Sequence, residues 1–133
     1  MSDPFGSGEY TSLFGLLSAG LPEPAEHRRY DYRGKDTDGS EFEFRLRGAI
    51  GSFNATIRGV DVSGGLTFIS EEPINDLGGT VHGFRYKTYL FAQEVFLFFS
   101  RDPIRSGQYV VAAYSEGYDG FPDLVLSADR AEP

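Results

Sequence analysis

The segment Glu41-Phe42-Glu43-Phe44-Arg45-Leu46-Arg47 places an apolar side chain at every even position and a charge at every odd one. Successive side chains of a β-strand point to opposite faces, so this rhythm predicts a strand with one buried and one wet side. Tyr30 and Tyr32 alternate in the same way with Arg29, Asp31 and Arg33. From His27 onward the period-two pattern recurs and predicts eight strands, at about 28–33, 41–49, 53–60, 65–71, 79–90, 93–101, 107–115 and 123–128. Turn residues punctuate them: Asp38-Gly39 within Lys35–Ser40, then Gly51-Ser52, Ser63-Gly64-Gly65, Gly78-Gly79 and Ser106-Gly107. Connections this short force antiparallel neighbours, because a parallel crossover needs a dozen residues or more.

Eight strands in meander order leave two raw edges unless the sheet closes on itself. The expected fold is therefore all-β, an eight-stranded antiparallel meander β-barrel, with a two-sheet sandwich as the competing architecture. Val95-Phe96-Leu97-Phe98-Phe99 is apolar without alternation, which predicts a strand covered on both faces. Residues 1–26 read differently. After a polar tail, Tyr10, Leu13, Phe14 and Leu17 fall at helical spacing, predicting one short N-terminal helix from about Glu9 to Ala19. Ser7 suits its N-cap, and Gly20 and Pro22 its end. The division is thus a tail, helix and Pro-containing link over 1–26 and a barrel domain over 27–133.

A chain of 133 residues has room for one core, and twelve Phe with eight Tyr supply much of it. Cysteine is absent, which excludes disulfides and thiolate metal sites and suits a reducing compartment. A net charge of −8 repels nucleic-acid backbones and anionic membrane surfaces and leaves a basic protein as a candidate partner. The start lacks a cationic leader, and Leu13–Leu21 falls short of the roughly 20 residues that span a bilayer. A cytoplasmic location follows as the expectation, with the Asn54-Ala55-Thr56 sequon unused. Ten of the twelve cationic residues are Arg, a skew that suggests a GC-rich bacterial origin.

Several groups could carry chemistry. Asp36, Asp38 and a following Glu resemble part of a calcium loop, but the chain turns at once into a strand, so a hairpin turn is the reading preferred and no metal or other cofactor is expected. His27 sits at a strand start. His82 shares a strand face with Phe84, Tyr86, Thr88 and Leu90, which makes it a candidate acid or base if that face is interior, with Tyr86 beside it. Glu71 and Glu72 are adjacent on a strand and point apart; both read as a solvated strand end. Arg85 and Glu94 form a buried pair only if both face inward. Tyrosine joins an apolar ring to a hydroxyl and suits a pocket for a partly polar organic ligand. Tyr30, Tyr32, Phe44, Phe84, Leu97 and Tyr114 are the candidate ligand-binding wall. No nucleophile elbow, phosphate loop or dinucleotide fingerprint is present.

The stretch from Glu71 through Asp76, Gly78-Gly79 and Thr80-Val81-His82-Gly83 resembles a segment of allene-oxide-cyclase-like barrels, where an acidic strand end leads through a Gly turn into Thr-(Ile/Val)-His. Ser106-Gly107-Gln108-Tyr109, Tyr30–Gly34 and the Asp38-Gly39 turn are similar in the same order. The family includes plant cyclases, dirigent-type proteins and bacterial cyclases of polyketide pathways such as those closing spirotetronates. Arg101–Arg105 departs from the glycine-rich strand usual in it. The resemblance implies a lumen that folds a flexible substrate into a reactive shape, and it assigns no catalytic residue.

Two functional classes follow. One is a small barrel holding a hydrophobic or polyketide-like molecule, with cyclase or isomerase activity by positioning as its catalytic form. The other is a non-catalytic acidic interaction module: an inhibitor, an immunity-type factor or a complex subunit. A homodimer is a further expectation, since a second subunit could cover the doubly apolar strand. The sequence alone does not decide between enzyme and binder.

Overall fold

The computed structural model describes residues 2–3, 6–7, 28–104, 107–115 and 122–133. The expected helix at 9–19 and His27 lie outside the described residues. Eight strands form the barrel: β1 Arg29–Lys35, β2 Glu41–Arg47, β3 Ile50–Ile57, β4 Val60–Ile74, β5 Val81–Leu90, β6 Gln93–Ser100, β7 Tyr109–Tyr114 and β8 Leu124–Ala131. Each pairs antiparallel with the next, and β8 returns to β1 to close the cylinder. The seam runs from Ala128 opposite Gly34 to Ala131 opposite Asp31. Meander order and closure are as the alternation requires, and no edge is left open. No helix among the described residues is long and apolar enough to cross a membrane.

Two predicted turns, Gly51-Ser52 and Ser63-Gly64-Gly65, fall in the wrong place. Gly51 lies within β3, and Gly64 and Gly65 within β4. The chain turns instead at Gly48, with φ of 73°, and at Arg58-Gly59, with φ of 52° and 82°. The misplaced glycines serve close packing: a Cβ on Gly51 would lie 2.5 Å from the Arg45 carbonyl oxygen, and one on Gly64 would lie 2.7 Å from the Phe53 ring. With no turn at residues 63–65, β4 becomes the longest strand, broken only by a bulge between Phe68 and Ser70.

Two apolar clusters hold the barrel. The interior contains Tyr32, Phe44, Leu46, Phe53, Leu66, Phe84, Tyr86, Leu97, Phe99, Val111 and Leu126. A second cluster lies on the outer side, where Ile74, Val81, Phe98, Ala112 and Tyr114 pack together. Opposed residues on β6 and β7 alternate between the two: Leu97 with Ala113 and Phe99 with Val111 face in, Phe98 with Ala112 and Phe96 with Tyr114 face out. The doubly apolar strand is therefore covered on both faces, as its sequence demands.

Gly83 is wedged against this outer cluster. A Cβ there would collide with the Phe99 carbonyl oxygen and the Phe98 ring. Gly83→Ala is expected to destabilise the fold by about 1–3 kcal/mol, the usual cost of overpacking, read as a lower urea midpoint at unchanged slope.

Candidate functional site: a cup with one open end

The two ends of the barrel differ in kind. At the end where β1 begins and β8 finishes, Arg28 is buried, 1% exposed. Its guanidinium lies 3.9 Å from the Phe84 ring centre and 4.8 Å from that of Phe68. Nη1 donates to the Tyr86 hydroxyl at 3.2 Å and Nη2 to Glu71 Oε1 at 3.1 Å. The Tyr86 hydroxyl in turn donates to the Gly48 carbonyl at 2.7 Å, and Gly48 N–H donates to the Arg28 carbonyl at 2.7 Å. A second guanidinium, Arg130, stands 4.0 Å from the ring centres of both Tyr30 and Tyr109. It donates to the Arg101 carbonyl at 2.9 Å and to the Tyr32 hydroxyl at 3.4 Å. Tyr32 donates to the Ser100 carbonyl at 2.9 Å. Two arginines, their aromatic brackets and two tyrosine hydroxyls thus floor the barrel.

Burial sets the electrostatics of this floor. The Tyr32 and Tyr86 hydroxyls are both held above their ordinary range by desolvation, against the opposing pull of Arg130 and Arg28 respectively. Desolvation likewise raises the Glu71 carboxyl, against Arg28 first and then Arg101. Glu71 Oε2 is buried without a hydrogen bond, with Arg101 Nη1 3.7 Å away.

Above the floor the barrel is hollow. A cavity of about 560 Å³ opens at the opposite end, in the range of small-molecule sites. Its inner wall is Phe44, Phe53, Leu97, Val111 and Leu126; nearer the mouth come Phe42, Ala55, Val95, Ala113 and Leu124. Thr88 is the polar side chain of the wall below the rim, and its hydroxyl donates to the Gly65 carbonyl.

Among the described residues, two hairpins and a loop form the mouth. Arg58-Gly59 and Phe91-Ala92 are two-residue turns with positive φ at both positions. The third piece is the Asp36–Ser40 loop, a hairpin turn as expected: Asp36 O accepts from Gly39 N–H at 3.1 Å and Asp38 Oδ1 from Ser40 N–H at 2.9 Å. That Ser40 bond holds the Asp38 carboxyl below its usual range. Ser40 Oγ accepts from Arg58 N–H at 3.2 Å and Arg58 Nε lies 3.7 Å from Asp38, so the loop and first hairpin form one rim. Phe91 stands at the lip, 74% exposed.

The structure separates the predicted site residues. Phe44 and Leu97 line the cavity. Tyr30, Tyr32, Phe84 and Tyr86 face inward as expected but belong to the floor, because Arg28 and Arg130 fill the space between their rings. Tyr114 is a correction: it opposes Phe96 on the outer side and donates to Asp76 Oδ2 at 3.2 Å. Every residue of β7, Tyr-Val-Val-Ala-Ala-Tyr, is apolar or amphipathic, so parity could not tell its two faces apart. His82 is a second correction. It has the parity of Phe84 but sits opposite Pro73 at the strand end, past the floor, and is exposed. Glu71 is not a solvated strand end but Arg28's partner, while Glu72 points out to Arg85 at 3.1 Å. Glu94 pairs with Lys87 at 3.6 Å rather than with Arg85. Arg28 and Arg130 were not singled out by the sequence, nor were Phe53, Arg58 and Phe91. Among the described residues no group of three or more His, Cys, Asp or Glu is placed to hold a metal.

A larger concavity, about 890 Å³, lies on the outer wall between Arg33, Lys35, Arg45, Glu41, Glu43, Asp61 and Asp129. It is a shallow trough whose cations already pair: Arg33 with Glu43 at 2.9 Å, Lys35 with Glu41 at 3.4 Å and Arg45 with Glu43 at 3.5 Å. The enclosed, apolar lumen is the better ligand site. No protein-family model, curated protein or solved structure matches this chain.

Replacing Arg28 with Met keeps the bulk of the side chain and strands the Glu71 carboxylate. The expected cost at pH 7 is about 2–4 kcal/mol, as for breaking a buried pair. Because the Glu71 carboxyl is raised above 4.5 in the fold, the native state holds that proton more tightly than the unfolded chain. Its contribution to stability is therefore full below 4.5 and is lost as pH rises through the raised value. Without Arg28 that rise is larger, so the deficit of Arg28→Met should shrink as pH falls from 7 towards 4.5 in urea titrations; a deficit independent of pH contradicts this account of the floor.

Proposed function

We propose that this protein is a small-molecule-binding barrel that takes a hydrophobic or polyketide-like compound into its lumen through the Arg58–Phe91 mouth. The observation that carries the reading is a 560 Å³ apolar cavity closed at one end and open at the other. Such a wall gives binding energy by burial, about 25 cal/mol per Å² of apolar surface, and gives orientation by shape.

The catalytic form of this reading is a biosynthetic cyclase or isomerase working by confinement, which is also what the resemblance to allene-oxide-cyclase-like barrels implies. Below the rim the lining carries no titratable side chain among the described residues. Proton transfer by the wall is then not part of the chemistry. Holding two reacting carbons of a flexible chain near each other can supply up to about 7–11 kcal/mol in the best intramolecular cases. His82 and Tyr86 fit such a role poorly: one is exposed beyond the floor, and the other has its hydroxyl bonded to Gly48.

The second reading, a docking module for a basic protein, draws on the net charge of −8 and the charged outer trough. The trough's internal ion pairs weaken that case, since a partner would have to displace them.

Titration with the neutral fluorophore N-phenyl-1-naphthylamine tests the lumen. Saturable 1:1 binding is expected, and Ala113→Phe, which puts a ring into the cavity from β7, should weaken it at least tenfold while the far-ultraviolet spectrum stays that of the wild type. Equal binding by the variant would place the probe elsewhere and sink the lumen reading.

A further inference from the structure

We infer that the cup is built for a single-headed amphiphile, bound apolar end first, with an uncharged hydrogen-bonding head such as a hydroxyl held at the rim between Asp38 and Arg58. This rests on the lumen being the ligand site. It adds a ligand class and an orientation.

The polarity of the cavity is graded along its axis. At the closed end Phe44, Phe53, Leu97, Val111 and Leu126 carry no polar side-chain atom. The two hydroxyls nearest that end point away from the space: Tyr32 donates to the Ser100 carbonyl and Tyr86 to the Gly48 carbonyl. Halfway up, the Thr88 hydroxyl is turned into the wall and donates to the Gly65 carbonyl. The strand backbones are committed to the ladder, so a polar group pushed to the bottom meets no polar side chain turned towards it. Among the described residues the remaining polar lining side chains lie at the mouth: Asp36, Asp38, Ser40 and Arg58.

The rim presents both signs of hydrogen-bonding group. Arg58 is 84% exposed, and its contact with the Asp38 carboxylate is long, at 3.7 Å. A hydroxyl head can donate to the Asp38 carboxylate and accept from the Arg58 guanidinium at once. An anionic head would meet Asp36 and Asp38 within a chain of net charge −8. The geometry therefore favours a neutral head at the rim and a purely apolar tail below it.

The test compares 1-decanol with 1,10-decanediol, each displacing N-phenyl-1-naphthylamine from the wild-type protein. The diol must leave its second hydroxyl at the closed end without a partner, so it should bind at least about tenfold more weakly than the alcohol. Equal displacement by both would mean that each end of the ligand reaches water or a partner, and would overturn the inference while leaving the lumen as the site. Failure of 1-decanol to displace a bound probe would overturn it as well. Failure of the probe itself to bind would remove the reading on which it rests. Orientation is read directly with a decanol carrying a photoreactive diazirine at the tail. Adducts on peptides containing Phe44, Leu97 or Leu126 are expected, and adducts confined to Arg58 or Phe91 would overturn the orientation.

Discussion

A guanidinium taken out of water between two aromatic rings decides the shape of the space in this barrel. An eight-stranded cylinder is just wide enough to be filled by side chains or to keep a ligand-sized hollow. Here it does both, at opposite ends. Arg28 is long enough to reach across the interior, and its charge is made tolerable by Phe84 and Phe68 on its faces and by Tyr86 and Glu71 at its nitrogens. Burying the ion costs several kcal/mol, which the pair and the rings must offset. With Arg130 bracketed by Tyr30 and Tyr109, the floor is a polar network in which the Tyr32 and Tyr86 hydroxyls each have an acceptor.

The floor in turn depends on closure. Arg130 belongs to β8 and reaches Tyr30 and Tyr32 of β1 only because the last strand pairs with the first. The seam is tight: a Cβ on Gly34 would lie 2.7 Å from the Ser127 carbonyl oxygen. At the opposite end, the bond from Arg58 N–H to Ser40 ties the β3–β4 hairpin to the β1–β2 loop. The facing hairpin places Phe91 and Ala92 at positive φ, a conformation that non-glycine residues adopt at some cost. Its geometry follows from the two-residue connection, which demands that turn type whatever the residues.

The barrel was legible in the sequence because Glu41–Arg47 and Tyr30–Arg33 bury one parity and wet the other, and register then follows from one buried face. Phe44 and Leu97 could be placed in the lumen on that basis. Parity carried no information in β7, where both faces are apolar, and Tyr114 was therefore assigned to the wrong side. The glycine signal misled for a different reason. Gly51 and Gly64 were read as turns, whereas Arg58-Gly59 was the true corner, because a glycine chosen for close approach looks in sequence like a glycine chosen for its backbone angles. His82 failed because alternation gives a side and says nothing about height along the axis. The arginines of the floor were invisible, since an Arg at a strand end is most often solvated and only the closed cylinder brings Arg28 to Glu71, 43 residues away.

The same floor limits what chemistry the lumen can perform. A tyrosine in a cavity can act as an acid only if its hydroxyl faces the substrate and its pKa lies near the working pH. Tyr86 meets neither condition: its hydroxyl donates its hydrogen bond to the Gly48 carbonyl, and burial moves its pKa further up. Tyr32 is held in the same way by Ser100 and Arg130. Spending these hydroxyls on the protein is what leaves the wall apolar, so strong proton-transfer groups and a dry closed end exclude one another in this design. What remains to the wall is shape and burial, and under the proposed function these act on the conformation of a bound molecule rather than on its protons.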